Sequence, residues 1–181
     1  GFGTEMEKFQ RRQIATIVKM CLSSVLRPGV VVVTGQSSDR VAMEGSILSE
    51  VEAFCGVGMD VVRVELRDEK DKEKVNGHQS QIRGGLFKAI DDFNNPNNNK
   101  ENLGKQEGVL VIVCKVNETG QYMLRELLET NGDSRTHRYA IRKDRVLFVV
   151  TVDDNAELQE MTISRAHALI HCPKAPQVGA I

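Results

Sequence analysis

The residues Gly29 to Arg40, read as GVVVVTGQSSDR, lay out the start of a phosphate-binding device and omit the parts that hold phosphate. A strand that ends in glycine and runs into a helix frames the G-x-x-x-x-G-K-[ST] loop. There the lysine reaches the β- and γ-phosphates and a hydroxyl ligates magnesium. Counting five from Gly35 reaches Arg40, and Val41 and Ala42 follow. The second glycine, the lysine and the hydroxyl are all missing. A nucleotide hydrolase also needs a carboxylate at the end of a buried strand to hold its metal. The run Val109 to Cys114 ends in Cys114-Lys115-Val116, with lysine where that carboxylate belongs, and Glu118 comes too late for a strand of this length. Hydrolysis by the chain's own residues is not expected.

Other chemistries fail on spacing. His171-Cys172 begins like the H-C-x₅-R loop of cysteine phosphatases, whose arginine clamps phosphate with two parallel bonds, but the arginine position is Val178. His167, His171 and Cys172 have the right types for a metal, yet one strand sends alternate side chains to opposite faces. No metal site is expected. A G-x-S-x-G nucleophile elbow is absent. Thr151, Asp153 and Asp154 close an apolar strand where α/β sheets place ligand-contacting groups, and solvated strand-end polar residues account for them equally well. Cys21, Cys55, Cys114 and Cys172 form no C-x-x-C pair. The first three fall on apolar faces and read as buried thiols, with a disulfide as the alternative. Asn117-Glu118-Thr119 is a glycosylation sequon, of consequence only in a secretory compartment.

The elements that must position these groups alternate strand and helix. An N-terminal helix is predicted within residues 5–27, where Phe9, Ile14, Ile17, Val18, Cys21, Leu22 and Val25 share a face from Met6 to Leu26 and Pro28-Gly29 ends it. The valine run is a strand buried on both sides. Ile47, Leu48, Val51 and Phe54 mark a second helix, and Val61 to Leu66 the next strand. Arg67 to Asn76 reads as a solvated charged loop, Gln79 to Phe93 as a third helix, and residues 94–108, around NNPNNNKEN, as a flexible insertion. Val109 to Cys114 and Val146 to Val152 are further buried strands. The first of these is followed by a helix bearing Met123, Leu124, Leu127 and Leu128, and by the basic loop Arg135 to Arg145. A short helix from Asn155 to Ser164 leads into an edge strand, Ala168 to His171. The pattern implies a single α/β domain over residues 1–181, a three-layer sandwich around a mostly parallel five-stranded sheet.

The chain has 181 residues with 24 Lys and Arg against 25 Asp and Glu, a net charge of −1. That balance argues against a whole-surface nucleic-acid or anionic-membrane binder. No apolar run approaches the roughly 18–20 residues of a membrane span, and no signal peptide is visible.

The order of these elements, together with Ser164-Arg165-Ala166-His167-Ala168-Leu169-Ile170, resembles the lumenal domain of the torsin activators, the lamina-associated polypeptide and torsin-interacting protein family. The similarity runs from about Phe9 to Pro176. It includes the strand Val30 to Gly35 ending in Thr-Gly without a phosphate loop, the helix Gln79 to Phe93, the strand pair Val109 to Cys114 and Val146 to Val152, and a terminal S-R-x-x-x-L-I-x-x-P-x-x-P segment, Ser164 to Pro176. The chain departs from the family in being shorter, in having only about a dozen residues between the fourth strand and Ser164, and in lacking a clear counterpart of the family's terminal cysteine.

The resemblance implies an AAA+-like fold without a P-loop, and a non-enzymatic activator of a torsin AAA+ ATPase. It implies a hetero-oligomer in which the partner binds ATP and Mg²⁺ and this chain, with no cofactor of its own, supplies Arg165 as an arginine finger in trans. It places such a chain in the endoplasmic reticulum lumen and perinuclear space of the nuclear envelope, tethered by a membrane span. The alternative from another class is a diverged nucleotide-binding α/β enzyme or sensor using Gly35 to Arg40 and Thr151 to Asp154. A third is a protein-interaction domain using the basic loop.

Overall fold

The computed structural model describes residues 2–23, 28–55, 58–67, 72–75, 78–81, 108–129 and 146–172. Most of the expected third helix, nearly all of the insertion at 94–108, the basic loop Arg135 to Arg145 and the tail beyond Cys172 lie outside them. The elements are α1 (Phe2–Leu22), β1 (Gly29–Gly35), α2 (Ser37–Cys55), β2 (Met59–Leu66), β3 (Lys72–Val75), β4 (His78–Gln81), β5 (Val109–Val116), α3 (Glu118–Glu129), β6 (Val146–Val152), α4 (Glu160–Ile163) and β7 (Ala168–Cys172).

One seven-stranded sheet runs in the order β4-β3-β2-β5-β6-β1-β7. The stretch β2-β5-β6-β1-β7 is parallel throughout, as expected for strands that are apolar along their whole length. The four valines of β1 explain the layering. Val30 and Val32 face a cluster with Leu110, Ile112, Phe148, Val150 and Leu124 of α3. Val31 and Val33 face another with Val111, Val149, Ile14 and Val18 of α1, and Ile47 and Val51 of α2. Helices therefore cover both sides, and the expected three-layer α/β sandwich holds.

The parallel sheet carries an addition that the sequence reading missed. Lys72–Val75 and His78–Gln81, expected as loop and helix start, form an antiparallel hairpin that pairs through Val64↔Val75 with the outer edge of β2. The register Val75↔His78 leaves Asn76-Gly77 as a two-residue connection, the strongest short-range hairpin signal. The outermost strand of the hairpin, β4, is polar in sequence (HQSQ), as suits a sheet margin, where an apolar edge invites aggregation. Other boundaries shift less. Helix α1 spans Phe2–Leu22, α2 begins at Ser37, β5 runs on to Val116, and the helix expected at 155–164 narrows to Glu160–Ile163. Among the described residues no helix is long and apolar enough to cross a membrane.

Close packing of α3 on β2 depends on one small residue. A Cβ at Gly120 would lie 1.9 Å from the Leu66 carbonyl oxygen, whereas a Cβ at Gly45 in α2 would meet nothing within 4 Å. Gly120→Ala should cost about 3 kcal/mol in urea unfolding through overpacking, and Gly45→Ala should add about 0.5–1 kcal/mol through helix propensity. Equal effects of the two substitutions would contradict the close approach.

Candidate functional site

The strand-to-helix junction after β1 is the first place to look for ligand chemistry, because open α/β sheets bind ligands outside the carboxyl ends of their strands. Only Gln36 separates β1 from α2. Gly35 takes φ 121°, and a Cβ there would lie 2.6 Å from the Cys172 carbonyl oxygen, so glycine is required both for its backbone angle and for its contact with β7. The junction leaves no room for a phosphate-wrapping loop.

A side chain of this protein occupies the position instead. Arg40, at the place of the motif's second glycine, is 9% exposed. Its Nη1 donates to the Gly35 carbonyl at 2.8 Å and to Asp154 Oδ1 at 2.6 Å. The ends of β1 and β6 and the first turn of α2 are thus tied through one guanidinium. Arg67, following β2, pairs with Asp153 at 3.2 Å, and Arg63 of β2 pairs with Glu44 of α2. Arg40, Glu44, Ile47 and Val51 form the buried face of α2. Their helical spacing was the sequence signal for Arg40: the apolar stripe extended backward lands on Glu44 and Arg40.

Beside this junction an open cleft of about 840 Å³ lies at the ends of β1, β6 and β7, lined by Thr34, Gly35, Ser37, Asp153, Asp154 and His171 among others. Its described lining includes two carboxylates and neither lysine nor arginine. A triphosphate entering it would meet two carboxylates whose cations, Arg40 and Arg67, are already paired with them.

The other expected residues have separate duties. Strand β5 is longer than predicted, yet the extension does not yield a metal carboxylate. Asn117 caps α3 by accepting the Gly120 N–H at 2.7 Å, and Glu118 Oε1 accepts the Glu157 N–H at 3.2 Å. Thr151 is buried, its hydroxyl donating to the Cys114 carbonyl at 3.4 Å. His171 Nδ1 lies 2.9 Å from Thr34 Oγ1, and His167 Nδ1 accepts the Val30 N–H at 3.1 Å. The two histidines and Cys172 do not converge.

No disulfide joins any of the four cysteines. Cys21 packs at Gly29 and Cys172 at Gly35, the two ends of β1. At about 3.3 Å per residue those ends are roughly 20 Å apart, far beyond the Cα separation of about 7 Å that a disulfide tolerates.

Arg165 lies at the opposite end of the sheet. It follows α4 and precedes β7, half-buried, with Nη1 donating to the Met161 carbonyl at 2.7 Å. Next to it the His167 N–H donates to the Val30 carbonyl at 2.8 Å, which fixes the entry of β7 beside the start of β1. The sequence reading also missed Gln121, a fully buried carboxamide of α3 that holds the segment leading to Arg165.

No protein-family model matches the chain, and no curated protein matches it. Solved structures do. The structure of C. elegans PCH-2 aligns at a TM-score of 0.51 and 10% identity, over 93% of this chain and 43% of that one. The Aeropyrum pernix ORC2 protein, in ADPNP–ADP complexes, aligns at 0.44 and 14% identity, over 89% of this chain and 47% of that one. Saccharomyces cerevisiae Rif2 aligns at 0.40 and 12% identity, over 97% of this chain and 65% of that one. The chain spans less than half the length of the first two. The likeness to PCH-2 is one of fold, and the expected AAA+-like architecture holds.

Removing Arg40 should be costly chiefly because of the carbonyl it satisfies. The Asp154 side chain is 54% exposed and stays hydrated without its partner. Arg40→Met should lower unfolding free energy by about 2 kcal/mol and Asp154→Asn by less than about 1 kcal/mol. The reverse order in urea titrations would locate the energy in the ion pair.

Cys172 yields a pH prediction. Burial pushes its thiol above the ordinary value of 9.0, Asp39 pushes further, and Arg40 opposes. The folded chain therefore holds the thiol proton more tightly than the unfolded one. The associated stability is complete below 9.0 and is lost as pH rises through the folded value. Urea midpoints should decline on the alkaline side, and Cys172→Ala should flatten that decline; an unchanged slope would contradict the assignment.

Proposed function

We propose that this chain is a non-enzymatic activator of a torsin-class AAA+ ATPase, acting as one subunit of a hetero-oligomer and presenting Arg165 to the ATP of its partner. The observation behind this reading is the internal arginine at the nucleotide position. An AAA+-like sheet is kept while Arg40, bonded to Gly35 and Asp154, closes the junction where phosphates would sit. ATP and Mg²⁺ then belong to the partner, and this chain needs no cofactor. In the same reading it works in the endoplasmic reticulum lumen and perinuclear space, tethered by a membrane span outside the given residues.

The location of Arg165 supports action in trans. It lies at the Val30 end of β1, whereas the closed junction lies at Gly35. Five residues of strand separate them, roughly 17 Å, more than an arginine side chain can reach. Among the described residues β7 pairs only with β1, and in this reading its other side is where a partner subunit approaches. The bond to the Met161 carbonyl is a neutral-acceptor bond, with a net contribution of about 1 kcal/mol. A phosphate oxygen, charge-assisted and able to accept a pair of parallel bonds, can replace it.

A guanidinium delivered to a γ-phosphate stabilises charge that develops in the transition state, an effect of roughly 10³ to 10⁵ in rate in well-studied NTPases. With an ATP-loaded torsin, Arg165→Ala should abolish stimulation of hydrolysis while binding to the partner persists, and Arg165→Lys should restore little, since an ammonium lacks the planar fork. Equal stimulation by wild type and Arg165→Ala would remove the finger role. ATP binding to this chain alone with Kd below about 10 μM, near −7 kcal/mol, would favour the diverged nucleotide-binding reading.

A further inference from the structure

We infer that Gln121 is a positioning residue for Arg165, an inference that rests on the activator reading above. Gln121 is 1% exposed, on the inner face of α3. Its Nε2 donates to the Glu157 carbonyl at 2.8 Å and lies 3.5 Å from the Asn117 carbonyl. Its Oε1 accepts the Gln159 N–H at 2.8 Å and the Thr162 hydroxyl at 2.8 Å. The backbone partners settle the orientation of the carboxamide, because a carbonyl can only accept and an amide N–H can only donate. Both donors and both acceptor sites of one side chain are thereby spent on the turn of its own helix and on the segment 157–162.

That segment is the one that delivers Arg165. It crosses from β6 to β7 with a single short helix, α4, of four residues. Too short to hold its own geometry, it takes its position from outside. Thr162, bonded to Gln121, is 5% exposed, and its carbonyl accepts the Arg165 N–H at 3.3 Å. Met161, the preceding residue, accepts the Arg165 guanidinium at 2.7 Å. Gln121, Met161, Thr162 and Arg165 line one crevice with Val30 and Leu124 that has no room for a water molecule. A shift of α4 would therefore move both the Arg165 backbone and the groove that guides its side chain.

The carboxamide suits this task better than its nearest alternatives. Glutamate would oppose a carboxylate to the Glu157 carbonyl. Methionine would keep the volume and leave the Glu157 carbonyl, the Gln159 N–H and the Thr162 hydroxyl without their partner. Asparagine is one methylene short.

Because Gln121→Met risks general unfolding, the decisive variant is Thr162→Val, which removes one hydroxyl at constant shape, with Thr162→Ser as its conservative rescue. Stimulation of the ATP-loaded torsin is measured against activator concentration for wild type, Arg165→Ala, Thr162→Val and Thr162→Ser. Thr162→Val should lower maximal stimulation by up to about 10²-fold and leave the half-saturating concentration within about threefold, the split expected when positioning and not docking is lost. Thr162→Ser should restore the maximum. A second readout needs no partner: in ¹⁵N NMR of the isolated chain, Thr162→Val should shift the Arg165 side-chain Nε–H resonance and quicken exchange of the Gln159 amide. Full stimulation by Thr162→Val beside an inactive Arg165→Ala would overturn the positioning role and leave the activator reading intact. Arg165→Ala as active as wild type, or no stimulation by wild type, would overturn both. An unmoved Arg165 resonance would count against positioning alone.

Discussion

A single guanidinium nitrogen, shared between the Gly35 carbonyl and the Asp154 carboxylate, settles what the strand ends of this sheet can do. Strand β1 lies between β6 and β7 and ends at Gly35, at the open end of the sheet. Arg40 donates to the carbonyl there from the first turn of α2. Helix begins after only Gln36, so the chain has no loop here to wrap around an anion. The carboxylates Asp153 and Asp154 line the adjoining cleft and occupy the arginines nearest to it. A buried arginine with a hydrogen-bonded carbonyl and a hydrated carboxylate is stable as it stands; one left without its partners would not be.

The sheet behind that junction follows from two-sided burial. Val30 and Val32 belong to one core and Val31 and Val33 to the other, so helices must cover each face, and consecutive parallel strands require crossovers long enough to hold them. Helices α1 and α2 cover the face of Val31, and α3 with the 156–166 segment covers the face of Val30. On the second face polar bonds join the apolar contacts: Gln121, Glu118 and Thr162 stitch the segment to α3.

The sequence announced the parts of this fold that depend on apolar period. The valine run, the strands at Val109 and Val146, and the helix face of Ile47 and Val51 are read from pattern alone, as is the absence of a phosphate loop. The hairpin was missed because its strands, KEKV and HQSQ, have no apolar alternation. Their signal was Asn76-Gly77, a matter of turn geometry and not of hydrophobicity. Arg40 stood out in sequence as a missing glycine, and the backward extension of the Ile47–Val51 stripe was the signal for its burial. Its bond to Asp154 spans 114 positions and exists because β6 lies beside β1, a fact of strand order that no local window contains. Gln121 was hidden for the same reason: a polar residue on an apolar helix face reads as surface until its partners are brought to it from Glu157, Gln159 and Thr162.

The two arginines divide the domain along β1. Arg40 is locked at the Gly35 end by a carbonyl and a carboxylate of the same chain, and its charge is consumed internally. Arg165, near Val30, has its Nη1 on a neutral backbone carbonyl, that of Met161. A cation held by a carboxylate is poor at serving a second anion, since the first must be given up; a cation held by a carbonyl loses less when a phosphate arrives. Under the proposed function the two residues therefore have opposite uses. The arginine at the nucleotide position closes the strand-to-helix junction, and in the proposed reading the arginine before β7 is the one that meets a partner's anion.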